Sequence, residues 1–360
     1  MVAVTYCARY DCAMSSRTPA APARERRARR GTGRITLADV AKLAGVSAIT
    51  ASRALNTPDQ VSPDALRRVR EAVERTGYVP NMLAGGLAST RSRLVAAVVP
   101  TIAGPVFLET IQSLTEGLAE SGYQLMLGQS GYAESREDAL LDAIIGRRPD
   151  GIVLTGIMRS AAGRRRLLAA GIPVVETWDL TPTPIDMLVG FSHEKVGAAV
   201  VEYLHAHGRR RLAIITADDP RAGLRRESFV QAAGRLGSTE VPTCIVPAPS
   251  TLGHGRSGLA DLLARQPEID AVFCSSDVLA LGAITEAQAR GIPVPVRLAV
   301  VGFGDFGFAA DTHPALTTVR IDGTAIGRQA ARFILDRAEG RAVAERVIDI
   351  GFSIVQRASA

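Results

Sequence analysis

Aromatic residues and long apolar runs are scarce in this chain of 360 residues. Phe, Trp and Tyr make up 4% of it although 47% of its residues are hydrophobic, so we expect cores built mostly from Ala, Val, Leu and Ile. No apolar run reaches the roughly 18 residues that a membrane-spanning helix needs, and the N-terminus lacks a hydrophobic signal core. The sequence therefore predicts neither a membrane partner nor export.

Cysteine and histidine are few and scattered. The four cysteines show no CxxC or metal-ligand spacing, and reduced, unpaired thiols are the simplest interpretation. The five histidines do not cluster, and His205 and His207 are two residues apart on a predicted helix, so they do not share a face. No G-x-S-x-G, H-E-x-x-H or P-loop motif occurs. We therefore expect no enzyme activity, no metal site and no cofactor.

Positive charge is concentrated near the N-terminus. Residues 17–93 contain 15 Arg or Lys against 6 Asp or Glu, whereas the whole chain carries only +6, so the remainder is net acidic. This pattern is typical of a nucleic-acid-binding protein, but a basic segment that only adds solubility has the same pattern. Residues 1–33 are rich in Ala, Arg, Ser and Pro without apolar periodicity, which predicts a disordered basic arm. Translation that starts at Met14 or later is the alternative.

Residues 34–79 have the signals of three short helices. Thr36 and Asp39 form the pattern of a capping box in front of a helix over 37–44, and Gly45 would end that helix in a left-handed turn.

Ser47 would cap a second helix that runs to about Leu55. The sequence Ser-Pro-Asp from Ser62 is typical of the start of a third helix, which Gly77 would end. Two short helices joined through a glycine have the proportions of a helix-turn-helix. Apolar side chains from all three helices would form one small core: Val40, Leu43, Val46, Ile49, Ala54, Leu66, Val69 and Val73.

The segment ITLADVAKLAGVSAITASRALN resembles, almost position for position, the DNA-binding signature of the lactose-repressor (LacI) family of bacterial transcription regulators. GYVPNMLAGGLASTRS resembles the hinge that follows it in that family, and the similarity continues to about residue 356. The resemblance implies an all-α helix-turn-helix head at 34–79, a hinge helix and linker at 80–92, and an effector-binding and dimerisation core at 93–356. It also implies a cytoplasmic, nucleoid-associated homodimer that binds double-stranded operator DNA.

The resemblance places the second helix of the head in the major groove, with its N-terminal residues towards the bases. Ala48 and Ile49 stand at the two positions that typically read bases, and because both are apolar we expect contacts with thymine methyl groups. A core position for Ile49 is the alternative. Arg53 would reach a guanine edge. The other implied DNA contacts are Thr36, Ser47, Thr50, Ser52, Asn56, Tyr78 and Asn81.

The hinge resemblance assigns a second DNA contact. Leu87 matches the leucine that family members insert into the central minor groove, and Ala84 precedes it on the same face. Gly85 and Gly86 depart from the family pattern, and each mid-helix glycine costs roughly 1 kcal/mol relative to alanine. We therefore expect a hinge helix whose order depends on DNA and on a partner hinge.

Eight short apolar runs alternate with helical stretches after residue 94: LVAAVVP, YQLMLG, GIVLTG, IPVVETW, RLAIIT, VPTCIV, DAVFCS and LAVVGF. This alternation predicts parallel sheets covered on both faces, as two doubly wound α/β lobes with a ligand cleft beyond the carboxyl ends of the strands. The resemblance implies the same periplasmic-binding-protein-like fold. It places the N-lobe at about 93–191 and 322–345, and the C-lobe at about 192–321 and 346–356.

Effector-binding residues are implied by motifs in this core. Arg225 in R-x-x-S-F resembles the family's effector-binding arginine and can clamp a carboxylate or two hydroxyls, although a surface arginine is the alternative. Asp277 in CSSDVLALGA would accept hydrogen bonds from sugar hydroxyls or cap a helix; Ser276 replaces the usual Asn there. Trp178 would stack on a ligand ring or pack at the lobe edge. The remaining candidates are Phe107, Glu176, Asp179, His193, Asp305 in GFGD, and Asp322.

The stretch VETWDLTPTPIDMLVGFSHEKVG looks most like the gluconate-repressor branch of the family, which implies a sugar acid such as gluconate as effector. We expect a repressor of a carbohydrate-utilisation operon that a sugar or sugar acid relieves allosterically, although some family members use a corepressor. The alternatives are a sugar-binding receptor without a regulatory role and an enzyme of the same fold. The helix-turn-helix and the missing export signal argue against the first, and the missing catalytic motifs argue against the second.

Overall fold

The computed structural model describes residues 35–79, 91–131, 134–238 and 240–360. They belong to two compact units, Met1–Asn81 and Met82–Ala360. The predicted basic arm lies outside the described residues, and so do the hinge positions Asn81, Ala84 and Leu87.

The described residues of the first unit form three α-helices, which begin and end close to where the sequence predicts: α1 (Leu37–Ala44), α2 (Ala48–Asn56) and α3 (Pro63–Thr76). The Thr36 hydroxyl accepts a hydrogen bond from the backbone N–H of Asp39, and the Asp39 carboxylate accepts one from the N–H of Thr36, so the capping box forms. Gly45 ends α1 in the left-handed region, with φ 64°. An arginine of α3, Arg68, donates to the carbonyl of Ala44 and ties this turn to the third helix.

The core of the first unit is richer in alanine than the sequence predicted. Its fully enclosed side chains are Val40, Ala41, Ala44, Ala51, Ala54, Val69 and Ala72. Leu43 and Ile49 were both predicted to belong to this core, and both predictions are wrong, because their side chains are 43% and 66% exposed. The buried stripe of α1 follows Val40, Ala41 and Ala44, and Leu43 lies beside that stripe. Ile49 lies on the face of α2 opposite Ala51.

Within the described part of the second unit the strands form two six-stranded sheets, which confirms the two doubly wound lobes. The first sheet has the order β11-β5-β4-β3-β1-β2, with β1 (Leu94–Val99), β2 (Gln124–Gln129), β3 (Gly151–Thr155), β4 (Val174–Thr177), β5 (Met187–Gly190) and β11 (Val347–Asp349). The second has the order β12-β10-β9-β8-β6-β7, with β6 (Leu212–Ala217), β7 (Thr243–Val246), β8 (Ala271–Cys274), β9 (Ala299–Phe303), β10 (Thr317–Arg320) and β12 (Ser353–Val355). The pairings between these strands are parallel except that of β12 with β10.

Helices cover both faces of each sheet. They are α4 (Leu108–Ala119), α5 (Glu134–Ile145), α6 (Ala161–Ala170), α7 (His193–Ala206), α8 (Pro220–Arg235), α9 (Leu252–Arg265), α10 (Asp277–Ala289) and α11 (Gly323–Ala338). Alternate residues of β6 face different cores, as expected for a strand buried on both sides. Leu212 and Ile214 pack in the cluster that includes α7 and α8, whereas Ala213 and Ile215 pack with α9 and α10.

The chain passes from the first sheet to the second between β5 and α7, returns between β10 and α11, and passes across again between β11 and β12. The position of the third crossing, between β11 and β12, corrects the predicted boundary between the N-lobe and the C-lobe at residues 345 and 346. Val347–Asp349 pairs in parallel with β5, so the chain leaves the first sheet only after Asp349. The C-lobe also continues beyond residue 356, because the Ser359 hydroxyl is buried and donates to the carbonyl of Val300.

Gly255 marks a place where α9 and α10 approach closely. A Cβ atom there would lie 2.1 Å from the backbone oxygen of Leu279, which cannot rotate away. We expect Gly255→Ala to lower the free energy of unfolding by about 1–3 kcal/mol because the helices must separate. Urea denaturation followed by the fluorescence of the single tryptophan measures this effect in the second unit.

Gly253 in the same helix is the matched control. A Cβ atom there would have its nearest neighbour outside the helix backbone, the Thr251 hydroxyl, at 3.7 Å. Gly253→Ala should therefore be neutral or stabilising by up to about 1 kcal/mol, since it lowers the entropy of the unfolded chain. Equal effects of the two substitutions would contradict the close approach of the helices at Gly255.

Candidate functional site

The predicted DNA-contacting residues of the first unit lie on and around α2. Ser47 caps this helix, because its hydroxyl accepts a hydrogen bond from the backbone N–H of Thr50 at 3.1 Å. Asn56 at the other end donates from its side chain to the carbonyl of Ser52 at 3.0 Å. Thr50 and Ser52 are half-buried, Tyr78 packs against the small core, and the following side chains are exposed: Thr36, Ser47, Ala48, Ile49, Arg53 and Asn56.

The first half of α2 therefore presents small and apolar side chains that its own unit does not cover. The exposure of Ile49 excludes the alternative in which it is a core residue. Because the core side of the helix is occupied by Ala51 and Ala54, the exposed side is free to face a partner. This arrangement is what a groove-reading helix requires.

A cavity of about 730 Å³, partly open to solvent, lies between the two lobes of the second unit. It is bordered by the ends of several parallel strands, where ligands bind in sheets of this kind. The N-lobe contributes Thr101, the segment 103–107 and Trp178. The C-lobe contributes His193, Ala217, Asp219, Arg221, Arg225, Ala248, Pro249, Ser250, Ser275, Ser276, Val278, Phe303 and Phe306. The structure thus brings four predicted residues to one cavity: Phe107, Trp178, His193 and Arg225.

Trp178 forms part of the cavity wall and is held rigidly. Its ring lies edge-on to those of Phe107 and Phe191, with centres 5.2 and 5.9 Å apart, and its Nε1 donates to the hydroxyl of Thr110 at 3.0 Å. Its φ of 65° is unusual for a residue with a side chain. The backbone is held there by a hydrogen bond from its N–H to Val189 at 3.1 Å. Trp178 thus packs within the N-lobe and also borders the cavity.

Arg225 is a buried cation beside this cavity, with a side chain on α8. It is 4% exposed. Its Nη1 donates to Nδ1 of His193 at 2.9 Å and its Nη2 to the carbonyl of Ser275 at 3.2 Å. Its guanidinium lies 3.9 Å from the centre of the Phe303 ring. Burial lowers the pKa of Arg225 to about 10, so the group stays protonated near neutral pH.

The Nε–H of Arg225 has no hydrogen-bond partner among the described residues. A buried donor without a partner is costly, and a cation is more costly still. An anion bound in the cavity would offset the buried positive charge and accept a charge-assisted hydrogen bond from the guanidinium. The site is therefore suited to a ligand with a carboxylate.

His193 connects Arg225 to the other lobe. An arginine only donates, so Nδ1 of His193 must accept, and its Nε2 carries the proton that is donated to the carbonyl of Trp178 at 2.9 Å. Burial, followed by the positive charge of Arg225, holds the pKa of His193 well below its usual range. The imidazole is therefore neutral and positions the guanidinium.

The charges that line the cavity favour an anion. Arg221 lies four residues before Arg225 on α8, so both face the same side of the helix. Among the described residues the lining contains one carboxylate, that of Asp219, which also caps α8 by accepting from the N–H groups of Arg221 and Ala222. The lining also includes hydroxyls, on Thr101, Ser250, Ser275 and Ser276, and hydroxyls can pair with ligand hydroxyls.

Asp277 does not belong to this site, which corrects its predicted role. It is fully buried, and its carboxylate accepts hydrogen bonds from the Thr318 hydroxyl at 2.5 Å and from the N–H of Phe306 at 2.7 Å. Burial raises its pKa to about 6. Asp277 was alternatively predicted to cap a helix, but Ser276 has that role, because its hydroxyl accepts a hydrogen bond from the N–H of Leu279. Ser276 also lines the cavity.

Three further candidates lie outside the first cavity. Asp305 pairs with Arg357 at 2.7 Å, and Asp322 caps α11. Both oxygens of Glu176 accept backbone hydrogen bonds, from Met158 and Ile185. These carboxylates are committed to contacts within the fold.

Asp179 instead lines a second cavity of about 690 Å³, together with Arg159 and Arg221. Its carboxylate accepts from the N–H of Leu180 at 2.8 Å, and burial raises its pKa. Sequence reasoning missed Arg221 although its spacing of four residues from Arg225 indicates a shared helix face. No comparable signal points to Ser250 or Phe306, which reach the cavity from loops.

Two family profiles match the chain. Bacterial regulatory proteins of the lacI family match residues 36–81, and a periplasmic binding protein-like domain matches residues 201–360. The HTH-type transcriptional regulator GntR of Pseudomonas aeruginosa is 40% identical over 332 residues, which cover 92% of this chain and 97% of that protein.

Solved structures agree with these matches. A LacI-family transcriptional regulator from Silicibacter pomeroyi has a TM-score of 0.85 at 32% identity, covering 90% of this chain and 99% of that chain. The transcription regulator GntR from Chromobacterium violaceum has a TM-score of 0.71 at 36% identity, covering 74% of this chain and 98% of that chain. This chain belongs to the lacI family of bacterial transcription regulators.

Family membership confirms a DNA-binding transcription regulator with a helix-turn-helix head and a periplasmic-binding-protein-like core, and not an enzyme. The relatives named GntR support the predicted gluconate-repressor branch. Among the helices of the described residues, none is long and apolar enough to cross a membrane.

Ile49 provides a test of the predicted DNA-contacting face of α2. We expect Ile49→Ala to weaken binding to a palindromic duplex, selected by the wild-type protein from random DNA, by about 5- to 30-fold, because each lost base contact costs roughly 1–2 kcal/mol. Its thermal stability should not change, since the side chain is largely exposed. Leu43→Ala, which truncates another exposed side chain of this unit, should change neither property. A destabilised Ile49→Ala protein that still binds the duplex normally would contradict this role.

His193→Asn tests whether the imidazole is buried in its neutral form. In the wild-type protein the unfolded chain takes up a proton at His193 as the pH falls below about 6.5, whereas the folded protein, with its lowered pKa, does not. The stability advantage of the wild type over the variant should therefore shrink below that pH by up to about 1.4 kcal/mol per pH unit. Urea denaturation at pH 7.5 and 5.5 measures the difference, and a constant difference would show that His193 titrates normally.

Proposed function

We propose that this regulator is a repressor of carbohydrate-utilisation genes whose effector is a sugar acid such as gluconate. The single observation that carries the proposal is the buried guanidinium of Arg225, which borders the cavity between the lobes and forms no ion pair with a carboxylate among the described residues. The ligand carboxylate would pair with Arg225 and Arg221. Its hydroxyls would bind the serine side chains, and its C–H groups would pack against Trp178 and Phe107.

Two further facts support an acid rather than a neutral sugar. The cavity lining contains two arginines against the single carboxylate of Asp219, so a bound anion would balance the charge. The relatives named GntR support the gluconate-repressor branch of the family. The sequence resemblance to that branch implies gluconate as the effector.

The proposed mechanism couples this site to DNA through the hinge. In a cytoplasmic homodimer, two helix-turn-helix heads at about 34–79 would bind the half-sites of an operator, and the hinges at about 80–92 would contact its centre. A ligand that touches both lobes would change the angle between them. Because the lobes are joined to the hinges, this change would disturb the hinge contacts and release the operator.

The substitution Arg225→Ala tests the site. We expect gluconate to raise the melting temperature of the wild-type protein and to weaken its binding to a selected operator duplex, measured by fluorescence anisotropy. Arg225→Ala should bind gluconate roughly 10- to 150-fold more weakly, because a charge-assisted hydrogen bond contributes about 1.5–3 kcal/mol, while it still binds the duplex.

The matched control is Arg226→Ala, because the neighbouring Arg226 pairs with Glu227 at the surface. This variant should respond to gluconate as the wild-type protein does. Arg225→Lys keeps the charge without the forked donor and replaces Arg225→Ala if that variant does not fold. Unchanged gluconate affinity in both Arg225 variants would refute the site. Equal stabilisation by glucose would refute the preference for an acid, and tighter operator binding with gluconate would make it a corepressor.

A further inference from the structure

The side chain of Arg221 spans the space between the two lobes. The residue belongs to α8 of the C-lobe, but its Nη1 donates to the carbonyl of Thr155 in the N-lobe at 3.3 Å. Its guanidinium also lies 5.1 Å from the centre of the Phe107 ring, again in the N-lobe. The group is thus held on the far side of the cleft by two contacts.

Arg221 is the described residue that borders both cavities of the cleft. The first, of about 730 Å³, contains Arg225, and the second, of about 690 Å³, contains Arg159 and Asp179. Both are partly open to solvent, and both have polar side chains in their linings. Two chambers of similar size therefore meet at one side chain.

Neighbouring residues along the chain form the rest of the boundary. Trp178 lines the first cavity and the next residue, Asp179, lines the second. Likewise, Asp219 lines the first cavity and Pro220 lines the second. In each pair two consecutive residues border different cavities, so the chain itself passes between the cavities at these two places. The arginine side chain is the part that a substitution can remove.

The second cavity has the polar groups that a sugar unit needs. Its lining includes the side chains of Ser130, Arg159 and Asp179 and the backbone of Gly131 and Gly156. Carboxylate and guanidinium groups bind pairs of sugar hydroxyls, and glycines let a ligand approach the backbone closely. The chemistry of this chamber suits an uncharged polyhydroxy group rather than an apolar one.

We propose that Arg221 sets the length of the ligand by separating the two chambers. With Arg221 in place, the first cavity holds a single sugar-acid unit. Without it, the chambers join, and the cleft accepts an acid that carries a second sugar unit in the chamber of Asp179. This inference rests on the proposed function for the identity of the first unit.

The substitution Arg221→Ala should leave the start of α8 intact. Asp219 caps this helix through the backbone N–H groups of residues 221 and 222, which the substitution keeps. Arg221→Lys retains the positive charge and most of the length of the side chain, so it should keep the boundary. Arg226→Ala removes a neighbouring arginine of the same helix that lines neither cavity.

The test compares gluconate with lactobionate, which is gluconate bearing one galactose unit, by calorimetry on the full-length protein. The wild-type protein, Arg221→Lys and Arg226→Ala should bind gluconate at least 100-fold more tightly than lactobionate. In Arg221→Ala this preference should fall at least tenfold, with an absolute gain in lactobionate affinity. The ratio is the readout because the loss of one cation also weakens gluconate binding.

Two results of the binding measurements overturn the proposal. One is an Arg221→Ala protein that keeps gluconate binding without any gain for lactobionate, and the other is a wild-type protein that binds both acids equally well. A wild-type protein that binds neither acid refutes the proposed function instead. A crystal structure of Arg221→Ala, or of Arg221→Ser if the alanine variant does not fold, then decides the role of Arg221. One continuous cavity supports it, and two separate cavities refute it.

Discussion

The hydrogen bonds that join Arg225 to His193, and His193 to Trp178, are the contact on which the cleft depends. The arginine is always a donor, so it dictates which nitrogen of the imidazole accepts and which donates. The carbonyl of Ser275 and the face of the Phe303 ring surround the same guanidinium. Among the described residues no carboxylate lies within hydrogen-bond distance of it, so its charge remains available to a ligand.

Close packing of two helices brings the members of this contact together. His193 begins α7 and Arg225 lies on α8, and the two helices touch at Gly197, where a Cβ atom would be 2.0 Å from the Ser228 hydroxyl. That hydroxyl donates to the carbonyl of Arg225 at 3.1 Å. The serine that departs from the family's R-x-x-G-F pattern therefore adds a hydrogen bond to the backbone of Arg225.

Features set by local chemistry could be predicted from the sequence, as the capping box of Thr36 and the motif around Arg225 demonstrate. Two other kinds of feature could not be predicted from the sequence. One is which strand pairs with which, and the other is which of two adjacent residues faces the cavity. Ser276 and Asp277 are adjacent at a strand-to-helix turn, and only the folded chain decides that the serine faces the cavity while the carboxylate turns inward. Val347–Asp349 is a short edge strand. It belongs to the first sheet because it pairs with β5, which lies some 160 residues earlier in the chain. Leu43 was misassigned because small alanines take its place in the core.

The alanine-rich core of the first unit has a consequence for how such regulators diverge. In α2 the buried positions are Ala51 and Ala54, whereas Ala48 and Ile49, the positions predicted to read bases, point away from them. Changes at exposed sites of this kind usually alter stability by less than about 0.5 kcal/mol. After gene duplication, a copy can thus acquire a new set of target promoters through substitutions that its fold tolerates.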